Sequence, residues 1–215
     1  MSQPCPLCIH PNTHDFHHDA DSAYRHCPVC DLIFAARIDL LKPKEEKARY
    51  DLHENDPNDL DYREFLNQLA QPLLARLKPP PLKGLDFGSG PGPTLPIMMA
   101  EQGYTMRIYD HFYAPNPQVL EDSYDFITCS ETFEHFYTPW VEWRLLVDLV
   151  KPGGWLGIMT LLLPSPEAFA HWHYKNDDTH VSFYSRNTFQ FLAKHDQLKV
   201  EFIGDNVILF QKPEC

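Results

Sequence analysis

An apolar segment that runs into three alternating glycines, Leu85-Asp86-Phe87-Gly88-Ser89-Gly90-Pro91-Gly92, constrains this 215-residue chain more than any other stretch. Leu82 to Phe87 has strand length, and Pro93 suits an opening helical position, where its missing N–H would have had no partner. The segment therefore reads as strand, turn, helix. At such a turn Gly88, Gly90 and Gly92 reach positive φ or let a ligand approach the backbone closely, and the helix start favours negative groups. Two nucleotide-binding patterns are excluded. Pro93 stands at the sixth position of the dinucleotide pattern, which calls for glycine, and no Gly-Lys-Ser/Thr follows to reach phosphates. A nucleoside cofactor without pyrophosphate remains.

With an acid two positions before its first glycine, this turn resembles the first motif of the class I S-adenosylmethionine-dependent methyltransferases. Further landmarks follow in order. Tyr104 to Asp110 resembles the second strand with its ribose-binding acid, Tyr124 to Ser130 resembles the fourth strand, and Lys151-Pro152-Gly153-Gly154 resembles the turn before the fifth, Trp155 to Leu162. Lys199 to Ile203 and Val207 to Phe210 alternate around Gly204-Asp205-Asn206 as a hairpin, similar to the antiparallel pair that closes such sheets. The resemblance spans about residues 82–212. It implies an α/β fold with a Rossmann-like sheet, mostly parallel with an antiparallel C-terminal hairpin, and S-adenosylmethionine as cofactor. Carried over residue by residue, the cofactor contacts are Asp86, Phe87, Gly88, Ser89, Gly90, Gly92, Asp110, Ser130 and Glu131. Spacing supports one of them independently. Asp110 lies 24 positions after Asp86, close to the roughly 20 residues at which a second-strand acid meets ribose hydroxyls, and a carboxylate can accept from both.

Near the N-terminus, Cys5-Pro6-Leu7-Cys8 and Cys27-Pro28-Val29-Cys30 form two C-x2-C pairs with eighteen residues between them, inside the range of zinc ribbons. Four thiolates suit tetrahedral Zn²⁺ with no open position, so the expected role is structural: a segment this small cannot bury enough apolar surface alone. Disulfides, an iron–sulfur centre, or replacement of one thiolate by His14, His17, His18 or His26 are the alternatives. Cys129 and Cys215 are left over, and Cys129 reads as a core residue of a buried strand. At 43% hydrophobic content the length accommodates one main domain with an appendage. The division expected is a ribbon-like segment at 1–38, a helical linker or lid at 39–81 and the cofactor domain at 82–215.

A net charge of −12 makes nucleic acid an unfavoured partner. No apolar run approaches the roughly 20 residues of a membrane span, and the start lacks a basic-then-apolar leader, so a cytoplasmic protein with a small-molecule substrate is expected. Asp61 to Leu77 sets Tyr62, Phe65, Leu66, Leu69, Leu73, Leu74 and Leu77 on one helical face, which predicts packing on the sheet. Lys42 to Asn55 is helix-permissive, with Tyr50, His53 and Asn55 as lid candidates. Only fourteen residues separate Asp110 from Asp125, too few for a full crossover with a third strand, so the second helix is expected to be lost. Pro139 to Val150 reads as a helix that buries Trp140, Leu145, Leu146 and Leu149.

Ligands of open α/β sheets bind beyond the carboxyl ends of the strands, which places Ser130 to His135 against the transferred methyl group. Glu131, Glu134 and His135 form E-x-x-E-H, similar to a constellation of ubiquinone-pathway O-methyltransferases that is associated with a divalent cation such as Mg²⁺. The resemblance implies the same three residues as a second metal site. His135 is equally a candidate base. Thr179 to Ser185 resembles a His-x-x-x-Phe/Tyr-Ser segment of small-molecule methyltransferases, which brings His180 over the pocket and makes Ser185 a helix cap. Phe133, Phe136, Tyr137, Trp172, Tyr174 and Tyr184 are candidate pocket walls. The reading is methyl transfer to a small molecule, at oxygen, with His135 and His180 as catalytic residues. Its rivals are an RNA base methyltransferase and a non-catalytic scaffold that docks a protein through the metal head.

Overall fold

The structure, a computed structural model, describes residues 3–20, 22–36, 40–52 and 55–214. In chain order the strands and helices are β1 His14–His18, β2 Ala23–His26, β3 Ile33–Ala35, α1 Pro43–Tyr50, α2 Leu60–Leu74, β4 Lys83–Phe87, α3 Thr94–Glu101 and β5 Thr105–Tyr109. There follow β6 Tyr124–Ser130, α4 Pro139–Leu149, β7 Val150–Met159, β8 Ser182–Phe183, α5 Arg186–His195, β9 Lys199–Ile203 and β10 Val207–Gln211.

Six strands form the central sheet in the order β5-β4-β6-β7-β10-β9. The first four run parallel, while β10 lies antiparallel to both β7 and β9. Side chains alternate across it as a doubly covered sheet requires. On β10, Ile208 and Phe210 pack with Trp143 and Leu146 of α4 and Phe189 and Leu192 of α5. Val207 and Leu209 pack on the opposite face with Leu69 and Leu73 of α2 and Met99 of α3. The stripe expected on α2 does bury Leu66, Leu69 and Leu73, joined by Ala70.

Between β5 and β6 the second helix is lost, as expected, and the described residues form only a 3-10 turn at Pro117–Glu121, because fourteen residues cannot complete a crossover. Three local expectations are corrected. Lys151-Pro152-Gly153-Gly154 is a bulge inside β7 rather than a turn before it: Tyr124 pairs with Val150, and Phe126 with Trp155. The same strand ends at Met159, short of Leu162. On α4 the fully buried aromatic is Trp143, whose Nε1 donates to Asp196 Oδ2 at 2.6 Å, whereas Trp140 is half-buried.

A second sheet, β1-β2-β3-β8, ties the cysteine segment to the rest of the chain. Its last strand belongs to the stretch that follows His180, paired through Ile33 with Phe183 and Phe34 with Ser182. Leu7, Leu32 and Phe34 share a core with Phe133, Tyr184 and Phe189. Tyr24 and Ile33 share another with Phe169, Trp172 and Phe183. The ribbon segment thus has no hydrophobic centre of its own separate from these two clusters.

Candidate active site

Beyond the carboxyl ends of β4, β5 and β6 lies a cavity of about 730 Å³. Its floor is the glycine turn. Gly88 and Gly90 stand at φ +82° and +62°, and a Cβ on Gly92 would come within 2.1 Å of the Asn55 carbonyl oxygen, so side chains are excluded there by backbone conformation and close approach respectively. Pro93 is the N-cap of α3 rather than its first residue. Asp86 is buried and accepts from the Thr128 hydroxyl at 2.5 Å. Burial, together with the charge of Asp110, lifts its carboxyl to about 7. Ser89 Oγ, in the same turn, is buried without a hydrogen-bond partner among the described residues, as expected of a group that meets a ligand.

Asp110 ends β5 with its carboxylate fixed by main chain. Oδ2 accepts from Gly90 N–H at 2.9 Å, and Oδ1 accepts from Phe112 and Tyr113 N–H at 2.8 and 2.9 Å. Three of about four acceptor positions are occupied, so the carboxylate has room for one further hydroxyl bond, not two. Phe87, Ser130 and Glu131 line the same cavity. Glu131 takes φ +45°, an unusual conformation for a residue with a side chain.

On the lining of the same cavity Glu134, His135 and His180 converge, with candidate ligand atoms all within 4.8 Å of one another. His180 thus joins Glu134 and His135 of the expected constellation, and Glu131 lines the cavity close enough to Glu134 to feel its charge. Each imidazole is oriented by a main-chain carbonyl: His135 Nδ1 lies 3.0 Å from Thr179 O, and His180 Nδ1 lies 2.7 Å from Tyr174 O. A carbonyl only accepts, so both Nδ1 atoms carry a proton, and in its neutral form each ring has Nε2 as its basic nitrogen. Burial pushes His180 below the ordinary histidine value, against the raising effect of Glu134. Glu134 is wholly buried. Tyr174 OH donates to its Oε1, while Oε2 has no partner among the described residues. Burial raises the carboxyls of both Glu131 and Glu134, and for Glu131 the neighbouring Glu134 charge adds to it.

Of the aromatic candidates, Phe136 and Tyr137 line the cavity. Phe133 and Tyr184 belong to the main core, Trp172 to the ribbon contact, and Tyr174 stands behind Glu134. Tyr50 and Asn55 reach the wall, whereas His53 lies outside the described residues. Sequence reasoning missed Glu46, Phe112 and Asp177, which also line it, and assigned Tyr62 and Phe65 to helix packing although both face the cavity. Amphipathic spacing placed those two aromatics on the inner face of α2, but it does not tell core from cavity.

In the N-terminal segment the four cysteine sulfurs meet. Cys5 and Cys30 Sγ are 3.5 Å apart and Cys8 and Cys27 Sγ 3.4 Å, in a set whose ligand atoms all lie within 4.8 Å of one another. A thiolate tetrahedron with 2.3 Å arms has edges of about 3.8 Å, so this cluster fits zinc. Two matching knuckles build it: Ile9 N bonds Cys5 O and Asp31 N bonds Cys27 O, with Ile9 and Asp31 at φ +61° and +64°. Cys129 is buried in β6, away from this set.

Comparison with known proteins agrees with this geometry. The methyltransferase domain family matches residues 61–201, more than half of the chain. The ubiquinone biosynthesis O-methyltransferase of Aeromonas salmonicida is 31% identical over 78 residues, which are 36% of this chain and only 33% of that relative's length. Among solved structures, the Burkholderia thailandensis 1,6-didemethyltoxoflavin-N1-methyltransferase, with bound 1,6-didemethyltoxoflavin and S-adenosylhomocysteine, superposes over 94% of this chain and 100% of its own at TM-score 0.56 and 16% identity. A chain from the complex of the Haloferax volcanii Trm112 methyltransferase activator with a methyltransferase covers 79% of this chain and 98% of its own at TM-score 0.51 and 12% identity. At such identities the structural likeness concerns the fold.

Proposed function

This chain belongs to the methyltransferase domain family, and from that premise we propose that it transfers a methyl group from S-adenosylmethionine to an oxygen of a small-molecule acceptor. One observation carries the reading: the glycine turn with Asp110 and the histidine pair His135 and His180 line one and the same cavity. The bound cofactor supplies a methyl group on a sulfonium, which leaves as the acceptor oxygen forms its new bond while the sulfur keeps the bonding pair. The chain supplies the rest. Asp86, Phe87, Gly88, Ser89, Gly90, Gly92, Asp110, Ser130 and Glu131 hold the donor, and either imidazole, through Nε2, receives the proton that the hydroxyl gives up. The oxygen assignment is supported by the O-methyltransferase relative, whose name states that chemistry for that protein.

Two further assignments belong to this reading. The cysteine cluster holds structural zinc, which suits a reducing, cytoplasmic compartment. A divalent cation is a second way to activate the acceptor, favoured by the convergence of Glu134, His135 and His180 and by the unpartnered Glu134 oxygen. Two imidazoles and one carboxylate suit a first-row transition ion better than Mg²⁺, which prefers oxygen ligands. Such an ion would lower the pKa of an acceptor hydroxyl.

Equilibrium dialysis tests the foundation: S-adenosylmethionine and S-adenosylhomocysteine both bind, and indifference to both overturns the assignment. With a reactive acceptor in hand, kcat/KM should rise along a limb centred below the ordinary histidine value of 6.5, and this limb should disappear in His180→Gln. An unchanged profile removes His180 as the base. Rate lost on chelation and restored by Mn²⁺ would favour the ion.

A further inference from the structure

We propose that the acceptor is an organic cation: a molecule that carries a protonated amine or quaternary ammonium beside the hydroxyl to be methylated, with no carboxylate or phosphate. This rests on the methyltransferase reading above and specifies its substrate class. Besides Asp86 and Asp110, the cavity is lined by Glu46 of α1, Glu131 and Glu134 after β6, Glu142 of α4 and Asp177 near His180. Among the described lining residues there is no lysine or arginine. These acids come from four separated parts of the chain, so their convergence is a tertiary arrangement and not a solvated acidic run. Lys–carboxylate and Arg–carboxylate pairs occur across the molecule, yet among the described residues none involves these five.

A second observation points to a positive ligand. Glu134 lines the cavity, is wholly buried and has one carboxylate oxygen without a partner among the described residues. A buried carboxylate in that state is costly until positive charge reaches it. Tyr50, Phe136 and Tyr137 on the same wall offer ring faces of the kind that attract ammonium groups.

The donor does not account for this charge. S-adenosylmethionine has one sulfonium, one ammonium and one carboxylate, a single net positive charge, and Asp86 and Asp110 already stand on its side of the cavity. A divalent ion at Glu134 and a donor held by Glu131 would still leave Glu46, Glu142 and Asp177 on the cavity lining. An anionic acceptor would therefore find no lysine or arginine among the described lining residues to pair with.

The test uses three phenols that share a ring and differ in the charge of the side chain: tyramine (cation), tyrosol (neutral) and para-hydroxyphenylacetate (anion). Each is titrated calorimetrically into the whole protein saturated with S-adenosylhomocysteine. Tyramine should bind about tenfold or more tightly than para-hydroxyphenylacetate, with tyrosol between. In the Glu46→Gln/Glu142→Gln double variant the gap should narrow, while affinity for S-adenosylhomocysteine, which also reports correct folding, holds. Equal or tighter binding of the anion overturns the proposal. So does a preference that the double variant leaves unchanged, and so does failure of all three to bind at millimolar concentration while S-adenosylhomocysteine still binds. Loss of S-adenosylhomocysteine binding in the unmodified protein would instead overturn the methyltransferase reading beneath it.

Discussion

Asp86 shows how one buried carboxyl links cofactor geometry to stability. Dehydration inside the sheet, partly offset by the Thr128 hydroxyl and reinforced by Asp110, raises it to about 7 from an ordinary value of 3.8. The folded value lies above the unfolded one, so between about pH 4 and pH 7 the native state holds more protons, and stability must fall as pH rises through that window. A shift of about three units corresponds to about 4 kcal/mol as an upper figure. Asp86→Asn removes the ionisation and should melt at higher temperature than the parent at pH 8 but not at pH 4. Thermal melts of the ligand-free protein check this, and an equal gain at both pH values would assign the effect to packing. Asp110→Ala releases the Gly90, Phe112 and Tyr113 amides it now anchors. Calorimetric affinity for S-adenosylhomocysteine should drop about tenfold or more. These two acids were readable in the sequence because each sits within or at a fixed distance from the glycine motif. Glu46 and Asp177 carry no such local signal, and they reach the cavity only because α1 and the loop before His180 close over it.

At the scale of elements, β8 connects the cysteine knuckles to the acceptor wall. On one side it pairs with β3, and Ala35 N donates to Val181 O at 2.9 Å. On the other, Val181 N donates to Glu134 O at 2.9 Å, Ser182 Oγ to Phe136 O at 3.0 Å and Tyr184 OH to Phe133 O at 3.0 Å. Asp31, directly after Cys30, accepts from Ser185 Oγ at 2.5 Å, where Ser185 caps α5. With zinc held by the cluster as proposed, its removal should loosen this clamp. After chelation, hydrogen exchange at residues 182–184 should accelerate and methyl transfer should fall, while S-adenosylhomocysteine still binds at the glycine turn. Unchanged exchange at those amides would show that the ribbon holds its strands without the ion. The convergence of the two C-x2-C pairs into one cluster was legible from spacing alone. Their union with a strand about 150 residues later was not, because two-residue strands carry no periodic signal.

For the whole molecule, charge and ligand binding give separate expectations. The chain carries a net charge of −12, which opposes polyanions; filter binding to ribosomal RNA should reveal no affinity with a steep salt dependence, and such binding would revive the RNA-modifying alternative. No helix among the described residues is long and apolar enough to cross a membrane. A ligand present at a hundredfold its Kd stabilises the native state by about 2.7 kcal/mol. For a domain of this size that shifts Tm by about 5–10 °C, which thermal melts with S-adenosylhomocysteine should reproduce.

Local order determined much of this protein. Strand, glycine turn, the acid that ends β5, capped helices, C-terminal hairpin and cysteine pairs are short-range patterns, fixed by backbone preferences and by spacings of a few residues. Tertiary structure decided what those patterns could not: that the β5–β6 connection omits a strand, that His180 joins Glu134 and His135, and that carboxylates from separated segments line one cavity with no lysine or arginine among its described lining residues. The physical reason is the same in each case. Chain closure and burial bring together groups from distant segments, and their charges and contacts acquire meaning only at those through-space distances.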